Sequence, residues 1–406
     1  MANMTLSKIV EGGLCTGCGA CVFAAEPGAI SMHMNTAGFM RPTASQVLTP
    51  EMEQAIQLIC PGIGLRHADD FDEGVQYIPE WGPIMELKAG HATDAEVRHG
   101  GSSGGVLSAL LIHLLETKKV AFVVHTRAST VDPLVNETIF SETREDVLSA
   151  AGSRYAPAAP VAALAAALVR PRRFAFVGKP CDVAAVRNIL RTKPALKERI
   201  PYLLSFMCAG TPSIKGTHQI LQRFDMEPDA VQSFRYRGDG WPGLARAQSH
   251  DGRVQTMDYN TAWGSILNQH LQPRCKMCAD GTGEFADVVC ADAWYGKDGY
   301  PDFAEADGRS LVACRTTVGR KLVMDAIAAD SIRLEPFQVE ALGEIQPYQK
   351  RRKQEVFARG LAAKLLFRLW PRYKGFRLAT LTVRLGLRRS TRAFGGTASR
   401  ILRGKF

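Results

Sequence analysis

Three cysteines two residues apart, Cys15-Thr-Gly-Cys18-Gly-Ala-Cys21, with a distant Cys60-Pro61, constrain this chain more than any other feature. Thiolates at that spacing wrap one face of an iron–sulfur cube, and a remote fourth closes it. Gly17 and Gly19 would let backbone amides approach the sulfides. The spacing therefore predicts a [4Fe–4S] cluster on Cys15, Cys18, Cys21 and Cys60, inside a small ferredoxin-type module over residues 1–65. The alternative is a zinc knuckle. Zinc sites usually pair two C-x2-C units or add histidines, and neither stands nearby.

The remaining cysteines are 181, 208, 275, 278, 290 and 314. The N-terminal MANMTLSKIVEGG lacks the apolar core of a secretory leader, and no run of eighteen apolar residues exists, so the expected location is cytoplasmic. That compartment keeps thiols reduced, which argues against disulfides and for metal ligation. Cys275-Lys-Met-Cys278 alone reads equally as a redox dithiol or half a zinc site. Two strand-like runs, RFAFVG over 173–178 and YLLSFM over 202–207, end at Lys179-Pro-Cys181-Asp182 and at Cys208, each followed by a helical pattern. They place Cys181 and Cys208 at the carboxyl edge of a sheet, where open α/β folds bind ligands. Together with Cys275 and Cys278 they offer four ligands for a second cluster or a zinc ion. Cys290 and Cys314 sit in apolar runs and read as small buried hydrophobes.

The block RHGGSSGG precedes a helical pattern in which Val106, Leu107, Leu110, Leu111, Leu114 and Leu115 share a face. Ser102 or Ser103 is expected to cap that helix, and a buried strand is expected over 119–125. Gly100 to Gly105 would offer free amides and hydroxyls to a phosphate at a positive helix end, with Arg98 and His99 adding charge. The other reading is a flexible turn feeding the helix. The loops GSRYAP (Ser153, Arg154, Tyr155) and YRGDGWP over 236–242 carry the polar and aromatic groups that line cofactor pockets. No G-x-S-x-G, H-E-x-x-H or paired-carboxylate motif suggests a hydrolase. Iron–sulfur centres pass single electrons, so chemistry on an organic substrate calls for a flavin as converter. Residues 66–90 read as a linker. Asp182, Tyr155 and His99 lie near the proposed chemistry in sequence.

Charge is divided unevenly. Residues 350–406 hold 17 Lys and Arg against one acid, Glu355, whereas the preceding residues hold 33 basic and 39 acidic side chains. The tail interleaves Leu361, Leu365, Leu366, Phe367, Leu369, Trp370, Phe376, Leu378, Leu381, Leu385 and Leu387 with cations. That pattern reads as a basic amphipathic helix suited to an anionic membrane surface. A solvated helix or a dock for an acidic protein is the alternative. Nucleic acid ranks last, because no stacking module accompanies the charge.

With these motifs in order, the sequence resembles the family of coenzyme F420 hydrogenase/dehydrogenase beta subunits over about residues 10–340. The resemblance rests on CTGCGAC…CPG, RHGGSSGGVLSALL, GSRYAP, FVGKPCDVAAVR, FMCAGTPS, YRGDGWPG, CKMC and ADVVCADAWYG. It implies an iron–sulfur flavoprotein in which FAD exchanges electrons with clusters and with an organic substrate or coenzyme F420. Some relatives reduce chlorophyll derivatives, and others sit with polysaccharide-synthesis enzymes. Carried over, the family's core cluster falls on Cys181, Cys208, Cys275 and Cys278. The flavin segment falls on Gly100, Gly101, Ser102, Ser103, Gly104 and Gly105, with Ser153, Arg154 and Tyr155 beside it. Relatives often carry Gly where Cys290 stands, and the tail after Lys350 lies outside the shared region.

The expected fold is α+β: an α/β-like core sheet, the N-terminal module and a basic helical tail. The expected divisions are 1–65, a flavin-associated domain over 85–168, a second-cluster domain over 169–340, and the tail over 350–406. The function expected is an oxidoreductase passing electrons between two clusters, FAD and a substrate, with ferredoxin or coenzyme F420 as redox partner. Two other readings stand beside it. One is an electron-transfer subunit without its own substrate. The other is a membrane-surface accessory to polysaccharide assembly, peripheral at the inner face of the membrane.

Overall fold

The computed structural model describes residues 4–67, 71–297 and 300–404. The first three residues, which belong to the leader argument, and the last two of the tail lie outside these. The centre is an eight-stranded mixed sheet. Its strands are β1 (Glu86–Ala92), β2 (Phe122–Ala128), β3 (Asn136–Ser141), β4 (Phe174–Gly178), β5 (Tyr202–Phe206), β6 (Val288–Asp292), β7 (Ser310–Cys314) and β8 (Ile332–Pro336). Their order is β8-β1-β7-β6-β5-β4-β2-β3. Strands β2, β4, β5 and β6 run parallel, and the flanking pairings are antiparallel.

The parallel strands are apolar through most of their paired length, β2 over Phe122–Val124 before it turns polar, because both sheet faces are covered there. Successive side chains alternate between faces. Phe122, Val124, Phe174, Phe176, Leu203 and Val289 pack with α2 (Pro180–Thr192) on one side. Val123, Ala175, Val177, Leu204, Val288 and Val312 pack on the other with α1 (Val106–Glu116) and α4 (Thr317–Ala328). Cys290 and Cys314 join that second cluster as buried side chains. A separate three-stranded sheet over 231–235, 245–249 and 254–257 packs against α3 (Ile214–Arg223).

The N-terminal segment forms a helix at Leu6–Glu11, a hairpin of Ile30–Met34 with Met40–Ala44, and a helix at Pro50–Ile59. Thr49 caps the last of these by accepting from the Met52 amide, with Pro50 in the first turn, where its missing donor costs nothing. The tail continues as α5 (Pro347–Leu365), a strand at Arg372–Lys374 paired with Gly64–Arg66, then α6 (Leu378–Leu385) and α7 (Leu387–Leu402).

Three sequence expectations are corrected. Residues 66–90 are not a linker: they hold a short hairpin, Gln76–Ile78 with Gly82–Ile84, and most of β1. The run ELKAGHA reads poorly as a strand because its apolar groups are few and only alternate positions are deeply buried. Neither Ser102 nor Ser103 caps α1. Gly105 occupies that position at φ 71° without a side-chain bond. In the tail, Phe376, Leu381 and Leu385 turn inward and are buried, whereas Leu361, Leu365, Phe367, Val383 and Leu387 remain exposed.

Candidate functional site

The turn after the first helix places Cys15, Cys18 and Cys21 opposite Cys60. Gly17 (φ 77°) and Gly19 (φ 85°) adopt left-handed backbone that side chains resist. A Cβ at Gly17 would also lie 2.9 Å from the Met40 carbonyl. That path aims amides at sulfur: Gly17 N donates to Cys15 Sγ at 3.4 Å and Ala20 N to Cys18 Sγ at 3.5 Å. The Gly62 and Ile63 amides face Cys60. Burial, and then the neighbouring Cys60 and Asp182, push the Cys18 thiol up to about 12. Burial followed by Cys15 pushes Cys60 up to about 11. Cys21 is raised by burial and by Cys18, Cys15 and Cys60 together.

Cys181 lies in the first turn of α2, Cys208 just past β5, and Cys275 and Cys278 around a short helix at Pro273–Lys276. Burial, then Cys275, pushes Cys208 up to about 12, with Cys278 adding to it. Thr211 N donates to Cys275 Sγ at 3.3 Å. Cys181 is close enough to both Cys208 and Cys18 to feel their charge, so the two sets adjoin. No three His, Cys, Asp or Glu side chains among the described residues converge on a single metal ion. A cubane binds each thiolate at a different iron, which spreads its ligands wider than those of one ion. Four thiols with amides directed at their sulfurs are the donor set such a cluster takes.

Two cations, one part-buried and one fully buried, accompany the sulfurs. Lys179 pairs with Asp182 at 2.7 Å beside Cys181 and Cys208. Arg274 is 2% exposed. It donates to the carbonyls of Pro61 (2.9 Å) and Gly62 (3.3 Å) and to the Tyr373 hydroxyl (3.1 Å). It interacts with Cys15 and Cys60 on one side and with Cys278, Cys181 and Cys275 on the other.

A cavity of about 860 Å³ extends from the carboxyl edge of the sheet over the second cysteine set, within the size range of ligand pockets. Cys208 and Cys275 form part of its wall. Of the glycine-rich candidates, Gly101, Ser102, Ser103 and Gly105 line it, and so do Ser153, Arg154 and Tyr155. Gly100 and Gly104 do not, and His99 is exposed outside it. Several of these groups are already engaged. The Ser103 hydroxyl donates to the Arg309 carbonyl at 3.0 Å, and the Ser102 hydroxyl accepts from the Ser153 amide at 2.5 Å. Arg154 donates to the Phe234 and Pro133 carbonyls and to Asn136.

The sequence marks the YRGDGWP loop but not its decisive group. Arg237 is buried and donates to both carboxylate oxygens of Asp292, at 3.0 and 2.9 Å, and to the Ser102 carbonyl at 2.6 Å. Trp241 Nε1 donates to the same carboxylate at 2.8 Å. The guanidinium lies 4.6 Å from the Tyr259 ring centroid and 5.2 Å from that of Trp294. Arg237, Asp292, Tyr259, Trp263, Trp294 and Phe303 all line the cavity. The signal that could have found the pair is the Asp-x-Trp of ADAW, an acid and an indole placed together at the end of an apolar run.

Two models of the coenzyme F420 hydrogenase/dehydrogenase beta subunit match the chain, the N-terminal one over residues 87–165 and the C-terminal one over 171–340. A coenzyme F420-dependent sulfite reductase of Methanocaldococcus jannaschii is 22% identical over 375 residues, covering 88% of this chain and 52% of that protein. The chain thus spans about half the length of that relative. A subunit of the F420H2 dehydrogenase of Methanosarcina mazei is 23% identical, covering 78% of this chain and 83% of the relative. Among solved structures, a chain of the F420-reducing [NiFe] hydrogenase complex from Methanosarcina barkeri shares the fold. Its TM-score is 0.52 at 21% identity, covering 70% of this chain and 96% of that one. Since the two family models together take in well over half of its residues, the chain belongs to the family of coenzyme F420 hydrogenase/dehydrogenase beta subunits.

Proposed function

We propose that the chain is an iron–sulfur flavoprotein oxidoreductase linking a redox partner, ferredoxin or coenzyme F420, to an organic substrate. Cys15, Cys18, Cys21 and Cys60 would hold one [4Fe–4S] cluster, and Cys181, Cys208, Cys275 and Cys278 a second. The cavity would hold FAD. When bound, the clusters supply single-electron transfer and the flavin supplies conversion to two-electron chemistry. One observation carries this reading: Cys181 lies close to both Cys208 and Cys18, and Cys208 and Cys275 line the cavity.

The chain's own groups fit these roles. The Lys179–Asp182 pair keeps a cation beside Cys181 and Cys208 without leaving it unpaired in a dry site. Arg237, fixed by Asp292 and by aromatic faces, sets a buried ion pair in the cavity wall. Trp241 stacks on Trp294, and Tyr259 and Phe303 pack against Trp294 at tilted and edge-on angles beside that ion pair. The domain divisions at 85–168 and 169–340 mark where the flavin and second-cluster determinants concentrate, although both segments give strands to one sheet.

Anaerobic purification with iron, sulfide and flavin analysis tests the proposal. About eight irons and one FAD per chain are expected. Cys15→Ser and Cys275→Ser should each remove about four irons. Zinc in place of iron, with no flavin, would overturn it. A second reading, an electron-transfer subunit without its own substrate, draws on relatives whose names describe them as subunits of larger enzymes. Turnover with a reduced dye in the absence of any partner separates the two.

A further inference from the structure

The tail-side end of the cavity carries more positive charge than the sulfurs need. Helix α5 brings Arg351, Arg352 and Arg359 to the cavity lining, where Lys276 joins them from the Cys275–Cys278 loop. Arg400 of α7 stands behind, close enough to repel both Lys276 and Arg359. Among the described residues the one acid facing this group is Glu355, which accepts from Arg351 at 2.9 Å and from Arg359. Arg352 donates instead to the carbonyls of Ala209 (2.6 Å) and Cys208 (2.5 Å), and it serves as counter-charge to Cys208 and Cys278.

Setting Arg352 aside leaves Lys276, Arg351, Arg359 and Arg400 against a single carboxylate. Lys276 has no acidic partner among the described residues, and Arg359 Nε is buried without a hydrogen-bond acceptor. Four cations that share one carboxylate at the end of a cleft leave a net positive charge, which attracts anions and raises their local concentration. The opposite end differs: there Arg237 is satisfied by Asp292 and Arg154 by carbonyls. Helices α5 and α7 lie beyond both family-matched regions, whereas Lys276 lies inside the C-terminal one.

We propose that Lys276 and Arg359, supported by Arg351 and Arg400, form an anion-binding subsite that holds a phosphate or carboxylate group of the substrate. An anionic organic molecule would be anchored there, with its reactive part lying deeper over Cys208 and Cys275. The inference rests on the proposed function only in taking this cavity as the place of reaction. Binding itself requires neither cluster nor flavin.

Isothermal titration of the purified full chain with inorganic pyrophosphate, and separately with citrate, tests it. Saturable binding of either probe is expected, weakening as salt is raised. Preference for pyrophosphate assigns a phosphorylated substrate, and preference for citrate a carboxylate one. Lys276→Gln and Arg359→Gln should each weaken binding roughly tenfold, the scale of a lost hydrogen bond to a charged group. The charge-preserving Lys276→Arg and Arg359→Lys should retain most of it. Arg400→Gln changes an exposed side chain, so a weaker but real loss of binding must appear there even if the variants at the part-buried Lys276 and Arg359 fold poorly. No binding at millimolar probe, or binding that ignores all three neutral substitutions, overturns the inference. A chain devoid of iron and flavin that still binds would sink the redox reading and leave the subsite standing.

Discussion

Glu284 and Lys353 offer the sharpest test of how the tail is attached. The two side chains are 0% and 3% exposed, and the ammonium donates to Oε1 at 2.6 Å. His67 takes the other carboxylate oxygen at 2.9 Å. Replacing Lys353 by Met keeps most of the stem's volume, so packing changes little. It strands a carboxylate in a dry site, and breaking a buried pair from one side costs about 3–5 kcal/mol. Contacts of the ammonium with the Phe376 and Tyr77 rings, at 5.4 and 5.8 Å, are lost as well; each is worth about 0.5–1 kcal/mol. Adding Glu284→Gln removes the stranded charge, so the double variant should recover at least half of the loss.

The pH dependence follows from the same geometry. Burial pushes the Glu284 carboxyl up, but Lys353 and His67 more than reverse this and bring it down to about 2 from an ordinary 4.5. A depressed carboxyl stabilises the fold above its unfolded value, and that stability is lost as pH falls from about 4.5 toward 2. Lys353→Met should move the onset of acid unfolding to higher pH. Urea denaturation followed by tryptophan fluorescence measures the cost, and limited proteolysis reports whether α5 detaches first. A single-variant loss below about 0.5 kcal/mol, within the range of ordinary surface changes, would refute the reasoning. So would a double variant no more stable than the single.

Three further outcomes are expected. Arg274→Gln should lower the midpoint potentials of both proposed clusters in an EPR titration, because a buried cation favours the more negative reduced state; Arg274→Lys should keep them higher, and unchanged potentials in the Gln variant would contradict this. Burial, and then Arg127, holds the His125 imidazole down to about 4, so the neutral ring's contribution is present above pH 6.5 and is lost as pH falls from there toward 4; His125→Gln should flatten that part of the stability profile measured by thermal melts. Gly104→Ala would place a methyl 2.6 Å from the Gly90 carbonyl and 2.7 Å from the Ser310 amide, costing about 1–3 kcal/mol by overpacking, and a melting temperature equal to that of the parent would show that the loop yields more easily than its contacts indicate.

What can be read from the chain depends on how local each signal is. The cysteine spacing is local at 15–21 and at 275–278, whereas Cys60, Cys181 and Cys208 lie far along the chain from these, and no spacing joins them. The parallel strands at 174–178 and 202–206 declare themselves through apolar runs, the second interrupted only by Ser205. Strand β1 does not, because the partners of ELKAGHA lie far along the chain, at 310–314 and 332–336, and only alternate side chains are packed. Ser102 and Ser103 mislead for a related reason. As helix caps they would need only adjacent residues, whereas Ser103 bonds across the sheet to Arg309 and Ser310. Arg237 with Asp292, and Lys353 with Glu284, are separated by 55 and 69 positions. No periodicity reveals such pairs.

The basic tail changes meaning once its partners are known. As a sequence it reads as a cationic arm in search of a membrane or an acidic protein. In the fold much of it is committed inward. Arg372–Lys374 adds a strand beside Gly64–Arg66, just after Cys60. The Tyr373 hydroxyl bonds to the Met277 carbonyl and to Arg274, tying the tail to both cysteine sets at once. Arg352 holds the carbonyls that follow β5, and Lys353 neutralises Glu284. A segment with these attachments cannot leave for a lipid surface without exposing the sulfurs and stranding a buried carboxylate. Membrane contact, if made, must therefore use only the outward residues such as Val383 and Leu387 while the inner face stays docked. The segment outside the family's shared region is thus the one that closes the second cysteine set and shapes the charged mouth of the cavity.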